Sequence, residues 1–546
     1  MASVEVSKTE LSRLIKRDIR LDYLVNRIGM LGMPVENVKE DNLALEVFPN
    51  RPDYLSQYGI ARALRGFLGI KKGLVNYETR KSGYKVIVDS NLKNIRPFTS
   101  CCVIKNIKFS DEKIRDIIQF QEKLHITLCR NRRKAAIGIY PLDKIKFPIR
   151  FMAIAREAIK FKPLEHGTEL SADEILKDID AGKKYGHLIN NLKFYPVFID
   201  AKDNILSMPP VINSDSVGKI TSKTTDVFIE VSGFDLNFLN QVLNIIATNM
   251  AEMGGKIYSV NAVYSGKGHL MPDLTPSKMK ININYVNKLL GLRLKETQLK
   301  GFLEKMGYSY SRGIVSIPAY RQDILHEFDL VEDIAIAYGY ENFSPLLDSF
   351  YSIAEEDKIE IFKEKMNDLL IGLEFIEVSM PHLSNKSSLN EKMNTGKGLI
   401  ALKNSVNQEY NVLRNWLLPG LMEILSSNKH NEYPQKIFEI GTVFLQKNHE
   451  EKISFGGLIS HSKANFTEAK QVIDCLLTTL NIKYEIKESD DEMCFIPGRA
   501  AKIMAKGKEL GFLGEINPEV LEKWNLEQPT AGFEINFGEL VEIIKI

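Results

Sequence analysis

The sequence is poor in cysteine and tryptophan, with five and two among its 546 residues. Cys101 and Cys102 are adjacent, and no C-x-x-C pair or regular cysteine spacing occurs. This pattern argues against a disulfide framework and against structural zinc. We expect the cysteines to be reduced and mostly buried as small apolar side chains.

Long apolar runs and a secretory start are missing as well. No stretch approaches the roughly 18 uninterrupted apolar residues that a membrane span needs, and Met1 to Val6 lack the basic-then-apolar order of a signal peptide. We therefore expect a cytoplasmic protein without a membrane partner.

A strong excess of one charge is also absent. The 72 Lys and Arg residues nearly balance the 70 Asp and Glu residues, for a net charge of +2, so a nucleic-acid surface would have to be local. The densest basic run, residues 130–134, fits either a phosphate contact or a solvated helix end. The length predicts several domains, and the 44% hydrophobic content is enough for their cores.

A short acidic helix is predicted within residues 317–343. At 3.6 residues per turn, an apolar stripe is formed by Phe328, Val331, Ile334, Ala335 and Tyr338. Three carboxylates occupy the opposite face, which we expect to be exposed: Asp329, Glu332 and Asp333. Asp323 lies in the loop before the helix, and Gly339 is placed to end it.

Two interpretations of these acids remain open. Carboxylates are welcome in the first turns of a helix because they meet the positive end of its dipole, and the face could simply be solvated. Against this, Asp329 and Asp333 are like charges four residues apart, a pairing that costs stability unless a cation binds. Oxygen ligands alone favour a hard ion such as Mg²⁺.

The run R-x-D-I-x-x-E-x-D-L-V-E-D-I-A-x-x-Y-G-Y, residues 321–340, resembles the winged-helix-like B5 domain of the phenylalanyl-tRNA synthetase β subunit. The resemblance implies a magnesium ion shared with the α subunit. Its ligands would be the acids that match Asp323, Asp329, Glu332 and Asp333.

A second motif of that family lies near the amino terminus. Residues 47–56, V-F-P-N-R-P-D-x-L-S, follow a predicted strand at 43–47 and precede a helix predicted to end near Leu68. Pro52 can occupy the first position of that helix. We interpret Asn50, Arg51 and Asp53 as structural, because turn and capping chemistry accounts for them.

Alternation along residues 227–232 predicts a strand with Phe228, Glu230 and Ser232 on one face. From the residues alone, its polar side would be an ordinary solvated face. The surrounding region, however, resembles the family's B3/B4 editing domain, which hydrolyses tyrosine wrongly attached to tRNA(Phe). The resemblance implies a pocket lined by positions that match Phe198, Ser207, Glu230 and Ser232.

The chain departs from the family pattern at this pocket. Ser232 and Phe234 stand where threonines are common, and Phe198 and Glu230 where smaller residues occur. These departures keep a degenerate editing site open as an alternative. Without a legible Ser-His-Asp or Cys-His arrangement, we expect a positioned water as the nucleophile.

The last two hundred residues resemble the family's class II synthetase-like antiparallel sheet module. Arg414 matches the position of an ATP-binding arginine, but the acid that normally follows is absent, as is a late G-x-G-x-x-R. Without cations to neutralise phosphate charge, ATP chemistry is not expected here.

The resemblance covers the whole chain and is closest to the archaeal and eukaryotic β subunits. It implies an α+β multidomain protein with a B1-like domain (1–92), the editing domain (93–270), B5 (271–346) and the class II-like module (350–546). The chain would work in an α2β2 heterotetramer that charges tRNA(Phe), the α subunit binding ATP and phenylalanine. The alternative is a non-catalytic RNA-binding or assembly scaffold.

Overall fold

A computed structural model describes residues 2–347 and 350–545. The chain divides into two compact units, one ending at Leu346 and the other beginning at Leu347. Each mixes helices with sheets, as the α+β prediction requires.

The first unit contains most of the strands. In chain order they are β1 (Ala2–Ser7), β2 (Val35–Lys39), β3 (Asn42–Val47), β4 (Thr79–Arg80), β5 (Lys85–Val88), β6 (Phe98–Lys105), β7 (Ala135–Pro141), β8 (Ile149–Ala155), β9 (Lys160–Phe161), β10 (Leu170–Ser171), β11 (Phe194–Ile199), β12 (Ile205–Met208), β13 (Ile212–Asn213), β14 (Val227–Gly233), β15 (Lys256–Tyr264), β16 (Lys267–Met271), β17 (Ser277–Lys280), β18 (Ser309–Ser311) and β19 (Ile314–Ile317).

The helices of this unit pack on those strands. They are α1 (Lys8–Ile15), α2 (Leu21–Met30), α3 (Gln57–Phe67), α4 (Asp111–Ile126), α5 (Ala172–Asp178), α6 (Asp180–Tyr185), α7 (Asp215–Gly218), α8 (Leu236–Glu252), α9 (Ile283–Leu290), α10 (Glu296–Lys305) and α11 (Glu327–Tyr338). As predicted, the strand at 42–47 leads through a turn to a helix that ends at Phe67. The position predicted for Pro52 was wrong, because Pro52 opens a separate 3-10 turn and the helix begins only at Gln57.

The largest sheet has the order β13-β12-β11-β8-β5-β15-β6-β14-β7. Its two ends approach each other, because the Tyr140 hydroxyl on β7 lies 3.4 Å from Asn213 Oδ1 on β13. The sheet therefore curls around an interior that contains Phe151, Phe198 and Phe228. This curl places residues from distant strands side by side.

Strand β14 has the predicted alternation but lacks a solvated face. Val227, Ile229 and Val231 point into the core under α8, and Phe228 points into the aromatic interior of the curled sheet. Every residue from Val227 to Gly233 is buried. The expectation of a polar side in water was wrong, because β14 lies between β6 and β7 with packed layers on both faces.

The region from β17 to α11 consists of a strand, two helices, two short strands and the acidic helix. Two details of the predicted acidic helix were wrong. Phe328 is 52% exposed, and Asp333 is only 5% exposed although it was placed on the solvated face. Helix α11 is buried over more than one stripe, along Leu330, Val331, Ile334, Ala335 and Ala337.

The second unit contains a seven-stranded sheet and a separate three-stranded sheet. Its strands are β20 (Ile376–Glu377), β21 (Leu383–Ser384), β22 (Ile400–Ala401), β23 (Val412–Leu413), β24 (Gln435–Leu445), β25 (Glu450–Ser460), β26 (Tyr484–Glu488), β27 (Phe495–Ala505), β28 (Lys508–Ile516) and β29 (Thr530–Asn536). Its helices are α12 (Lys358–Gly372), α13 (Leu418–Ser427), α14 (Phe466–Thr479), α15 (Pro518–Lys523) and α16 (Phe537–Ile544).

The main sheet has the order β20-β24-β25-β29-β28-β27-β26 and is antiparallel apart from the short β20-β24 pair. Apolar residues from α12, α14 and α16 cover part of it, with Phe438, Phe455 and Phe533 among those in this core. Over the residues that the structure covers, no helix has the length and apolar character needed to cross a bilayer.

Candidate functional site

The predicted pocket residues lie in the interior of the curled sheet. Phe198 and Ser207 are direct partners across β11 and β12, and Glu230 and Ser232 lie on β14. Each of the four is at most 2% exposed. The structure joins Ser207 to Glu230, but only through a residue that the sequence did not indicate.

That residue is Tyr140, the sixth residue of β7. Its hydroxyl lies 2.8 Å from Ser207 Oγ and 3.1 Å from Glu230 Oε1, so it bridges the two groups. The ring stacks on Phe228 at 6.0 Å between centroids. The apolar run 135–140 predicts a buried strand. Its pairing with β14 is a tertiary contact, however, and a local sequence pattern cannot predict which strands pair.

Glu230 is an unusual buried acid. Its Oε1 faces Tyr140, whereas Oε2 is buried without a hydrogen-bond partner. Burial raises the pKa of the Glu230 carboxyl to about 8, although the charge of Arg96 and the hydrogen bond from Tyr140 act in the opposite direction. At neutral pH the carboxyl is mostly protonated, so it can donate one hydrogen bond and accept others.

Gly138 makes room for this carboxyl. It is the β7 partner of Glu230, and a Cβ at this position would lie 2.5 Å from Glu230 Oε1 and 2.2 Å from the Tyr140 hydroxyl. Both contacts are far too close. Only glycine leaves the space that the two polar groups use.

Ser232 is held from the opposite side by a buried arginine. Arg96 donates from Nε to Ser232 Oγ at 3.0 Å and from Nη2 to the Ser232 carbonyl at 2.5 Å. Burial lowers the pKa of the Arg96 guanidinium to about 10. The predicted departure at Phe234 lies outside this interior, since its ring is 53% exposed and near Arg96.

Phe198 fills the far side of the interior. Its ring stacks on Phe151 with centroids 4.1 Å apart and planes only 7° from parallel. The larger side chain at this position is thus packed as core, and the whole interior is closed to solvent in this conformation.

The four acids predicted to bind magnesium are not gathered around one point. Asp323 and Asp333 both pair with Arg321, at 2.6 and 2.8 Å, and Asp333 also accepts a hydrogen bond from the Tyr308 hydroxyl. Burial would lower the pKa of Arg321, but Asp333, Tyr308 and Asp323 raise it well above its usual value. The Arg321 guanidinium therefore already supplies the positive charge that Asp323 and Asp333 share.

Asp329 and Glu332 have other partners. The Asp329 carboxylate accepts from the backbone N–H groups of Leu325 and His326, both at 2.8 Å, and so caps α11. Glu332 is exposed and accepts from the Tyr340 hydroxyl at 2.9 Å. In residues 2–347 and 350–545, no group of three or more His, Cys, Asp or Glu side chains could hold a metal ion together. The donor set of this chain alone therefore does not fit a four-carboxylate magnesium site.

The amino-terminal motif contacts the same buried cluster. Asp53 accepts from Arg51 at 2.9 Å and lies 3.5 Å from Arg62. Burial would raise the pKa of the Asp53 carboxyl, but Arg51, Arg62 and Arg321 keep it below its usual value. Asp53 and Arg321 therefore belong to one electrostatic cluster.

A cation–π contact and close backbone packing also connect α3 to Tyr320 and to the end of α10. The Arg62 guanidinium lies 3.5 Å from the centroid of the Tyr320 ring. A Cβ on Gly66 would lie 2.6 Å from the Lys305 carbonyl, so α3 packs with its backbone directly against the end of α10. The structural role predicted for Arg51 and Asp53 fits this cluster. The sequence alone gave no indication that these two residues lie close to Arg321.

Arg414 in the second unit is also committed to internal contacts. Its guanidinium donates to Glu439 Oε1 at 2.7 Å and to the Thr442 carbonyl at 2.8 Å, and the residue is 4% exposed. These bonds lock the side chain to β24. The geometry agrees with a structural arginine and not with one that meets a nucleotide.

Comparisons with known proteins match both units. The family described as the phenylalanyl tRNA synthetase beta chain CLM domain matches residues 349–537, and the tRNA synthetase B5 domain matches residues 279–340. The phenylalanine-tRNA ligase beta subunit of Archaeoglobus fulgidus is 40% identical over 537 residues, which is 97% of each chain. The chain belongs to the phenylalanine-tRNA ligase β-subunit family.

Two further relatives of the phenylalanine-tRNA ligase β-subunit family agree. The beta subunit of Pyrococcus horikoshii is 39% identical over 550 residues, covering 98% of this chain and 99% of the relative. A crystal structure of an N-terminal fragment of the phenylalanyl-tRNA synthetase β subunit from Pyrococcus horikoshii matches with a TM-score of 0.60 and 40% identity. It covers 62% of this chain and all of the fragment.

Proposed function

We propose that this chain, besides its part in charging, removes tyrosine that has been wrongly attached to tRNA(Phe). Membership in the phenylalanine-tRNA ligase β-subunit family gives the chain its role in charging tRNA(Phe) with phenylalanine. The observation that carries the editing proposal is the buried Glu230 carboxyl, with one oxygen facing a phenol and the other without a partner.

The need for such a group follows from pocket physics. A pocket shaped for phenylalanine rejects the same ring bearing a hydroxyl only weakly, so a second site has to recognise the hydroxyl itself. A buried carboxyl does this well, because a phenol satisfies it while a phenyl ring leaves it unpaired at a cost of about 1–3 kcal/mol. The Tyr140 contact supports a phenol as the preferred neighbour of Glu230.

We propose a water molecule as the nucleophile. The Tyr140 hydroxyl, which contacts Glu230, is engaged with the Ser207 hydroxyl at 2.8 Å. A serine activated for attack needs a base in hydrogen-bond reach, and Ser207 instead contacts a tyrosine whose pKa is raised well above its usual value by burial.

The test is deacylation of Tyr-tRNA(Phe) by the assembled enzyme, compared with the uncatalysed rate. Glu230→Met keeps the length of the side chain but removes its polar atoms, and we expect a loss of roughly 10- to 100-fold in kcat/KM for the tyrosyl ester. Glu157→Gln is the control, since that side chain is 71% exposed on the same unit. A Glu230→Met enzyme that edits like the unaltered one would refute the assignment.

A second candidate function is a scaffold whose editing site has degenerated. The full burial of Phe198, Ser207, Glu230 and Ser232 is the observation that favours it. This alternative predicts that Tyr-tRNA(Phe) is hydrolysed no faster with the assembled enzyme than without it.

We further propose that the α subunit supplies the aminoacylation site, with ATP and phenylalanine bound there, in an α2β2 assembly. The contacts of Arg414 with Glu439 and Thr442 support this division, because they pair the charge of that arginine inside the chain. We propose magnesium binding only for this assembly. Glu332 is the one exposed acid among the four predicted ligands.

A further inference from the structure

The interior of the curled sheet already contains a phenol. Tyr140 is fully buried, and its hydroxyl meets Ser207 Oγ at 2.8 Å, Glu230 Oε1 at 3.1 Å and Asn213 Oδ1 at 3.4 Å. These groups come from three different strands, so the hydroxyl sits at the point where the two ends of the sheet meet. No solvent-exposed edge of the four predicted pocket residues remains for a ligand to enter.

We propose that Tyr140 closes this pocket by competing with the substrate, because its phenol occupies the position in which Ser207 and Glu230 would receive the phenol of a tyrosyl group. The inference rests on the editing function proposed above and adds to it a residue that controls access to the pocket. An aminoacyl group has to displace Tyr140 before it can bind.

The exchange favours tyrosine over phenylalanine for a simple reason. When Tyr140 leaves, Ser207 and Glu230 each lose a hydrogen-bond partner inside a dry interior, and a group left unpaired there is costly. The hydroxyl of a tyrosyl group gives Ser207 and Glu230 a new hydrogen-bond partner in place of the one they lose when Tyr140 leaves. A phenylalanyl ring cannot, so the correctly charged ester meets a barrier that the wrong one does not.

The space around the Tyr140 hydroxyl suits a phenol better than a purely apolar side chain. The ring of Tyr140 stacks on Phe228, and Gly138 lies close under the hydroxyl, so the space is shaped to an aromatic ring with a polar tip. The free Glu230 Oε2 gives a second place for a donor on the incoming group. Both features belong to phenol recognition rather than to a general apolar core.

The test is Tyr140→Phe in the assembled enzyme, with Tyr- and Phe-tRNA(Phe) as separate substrates. The variant keeps the ring but removes the competing hydroxyl, so we expect KM for Tyr-tRNA(Phe) to fall about tenfold with kcat unchanged. Hydrolysis of Phe-tRNA(Phe) should rise by a similar factor from its lower starting level, because the phenylalanyl ring no longer has to break the hydrogen bonds of Tyr140. Tyr185→Phe is the matched control, because that buried hydroxyl has no hydrogen-bond partner.

A tyrosine that serves only the fold would give a different result. In that case kcat/KM for both substrates would fall or stay unchanged, and the proposal would be overturned. Circular dichroism melting of Tyr140→Phe shows whether the variant is folded, and Tyr140→Leu provides a second removal of the hydroxyl if it is not.

A binding measurement separates this inference from the editing function. If neither enzyme deacylates Tyr-tRNA(Phe), the thermal shift produced by L-tyrosinamide is compared between the unaltered and Tyr140→Phe enzymes, with L-phenylalaninamide as reference. A larger shift for tyrosinamide in the variant alone supports Tyr140 as the closing residue even though editing has failed. Equal shifts in both enzymes overturn it.

Discussion

The Arg321 guanidinium lies 2.8 Å from the Asp333 carboxylate, and both side chains are buried. The pair joins the loop before α11 to the middle of that helix. Tyr308 donates a hydrogen bond to Asp333, and Arg321 pairs with Asp323 as well. An acid that the sequence offered as a metal ligand is thus one half of an internal ion pair.

Removing one partner of this pair should destabilise the first unit strongly. For Asp333→Ala we expect a loss of about 3–5 kcal/mol in the free energy of unfolding, because Arg321 keeps a buried charge with fewer partners. Asp329→Ala should cost only about 0.5–2 kcal/mol, as a lost helix cap does.

The chain offers a convenient internal control for this measurement. Its two tryptophans, Trp416 and Trp524, lie in the second unit. Asp333→Ala should therefore lower the urea concentration at which circular dichroism reports unfolding of the first unit. The urea midpoint of tryptophan fluorescence, which reports the second unit, should stay in place. A fluorescence midpoint that moves equally would contradict the assignment of the effect to the first unit.

The stability of the first unit should depend on pH through Glu230. Its pKa is raised from 4.5 to about 8 in the folded protein, so the folded state holds a proton that the unfolded state releases. This contribution is complete below about pH 4.5 and is lost as pH rises toward 8. Glu230→Gln cannot ionise, and the decrease in unfolding midpoint between pH 5.5 and 8.5 should be smaller in this variant. Identical pH profiles would argue that Glu230 titrates normally.

Arg414 should behave as a structural residue. Arg414→Met leaves the buried Glu439 without its guanidinium, and we expect a loss of about 3–5 kcal/mol, now visible in tryptophan fluorescence. Arg499→Met is the control, since its side chain is 60% exposed and pairs at the surface.

The isolated chain should not activate phenylalanine. We expect no phenylalanine-dependent exchange between ATP and pyrophosphate, because the guanidinium of Arg414 is bonded to Glu439 and Thr442 and cannot neutralise phosphate charge. Exchange by the purified chain without an α subunit would disprove the division of labour proposed here.

Magnesium can be tested on the acids that do not stabilise the fold. Glu332→Gln removes an exposed carboxylate, so the unfolding free energy should change by less than about 0.5 kcal/mol. If magnesium is shared with the α subunit through this residue, the Mg²⁺ concentration needed for assembly should rise. An unchanged requirement would remove Glu332 from the proposed ligands.

Local patterns in the sequence predicted local structure well. The alternation at 227–232 gave a strand with the correct facing of Phe228 and Ile229, and the acidic helix predicted within 317–343 is α11, Glu327–Tyr338. The buried, unpaired state of the cysteines was also predicted for Cys101, Cys102, Cys129 and Cys494, whereas Cys475 is exposed.

Properties that depend on distant segments could not be predicted. Asp333 was placed on a solvated face because a helical projection contains no information about Arg321, which becomes its neighbour only through the loop before α11. Tyr140 was missed because its partners, Ser207 and Glu230, lie 67 and 90 residues along the chain. Side-chain periodicity defines faces, whereas the curling of a sheet decides which faces meet.

The packing of Gly66 on the Lys305 carbonyl limits how this protein can be recombined with its relatives. Grafting residues 271–346 from another chain would carry Tyr320 and Arg321 to foreign neighbours in place of Arg62 and Asp53. Viable chimeras should join at the end of the first unit, after Leu346, where the inherited arginines and acids stay together.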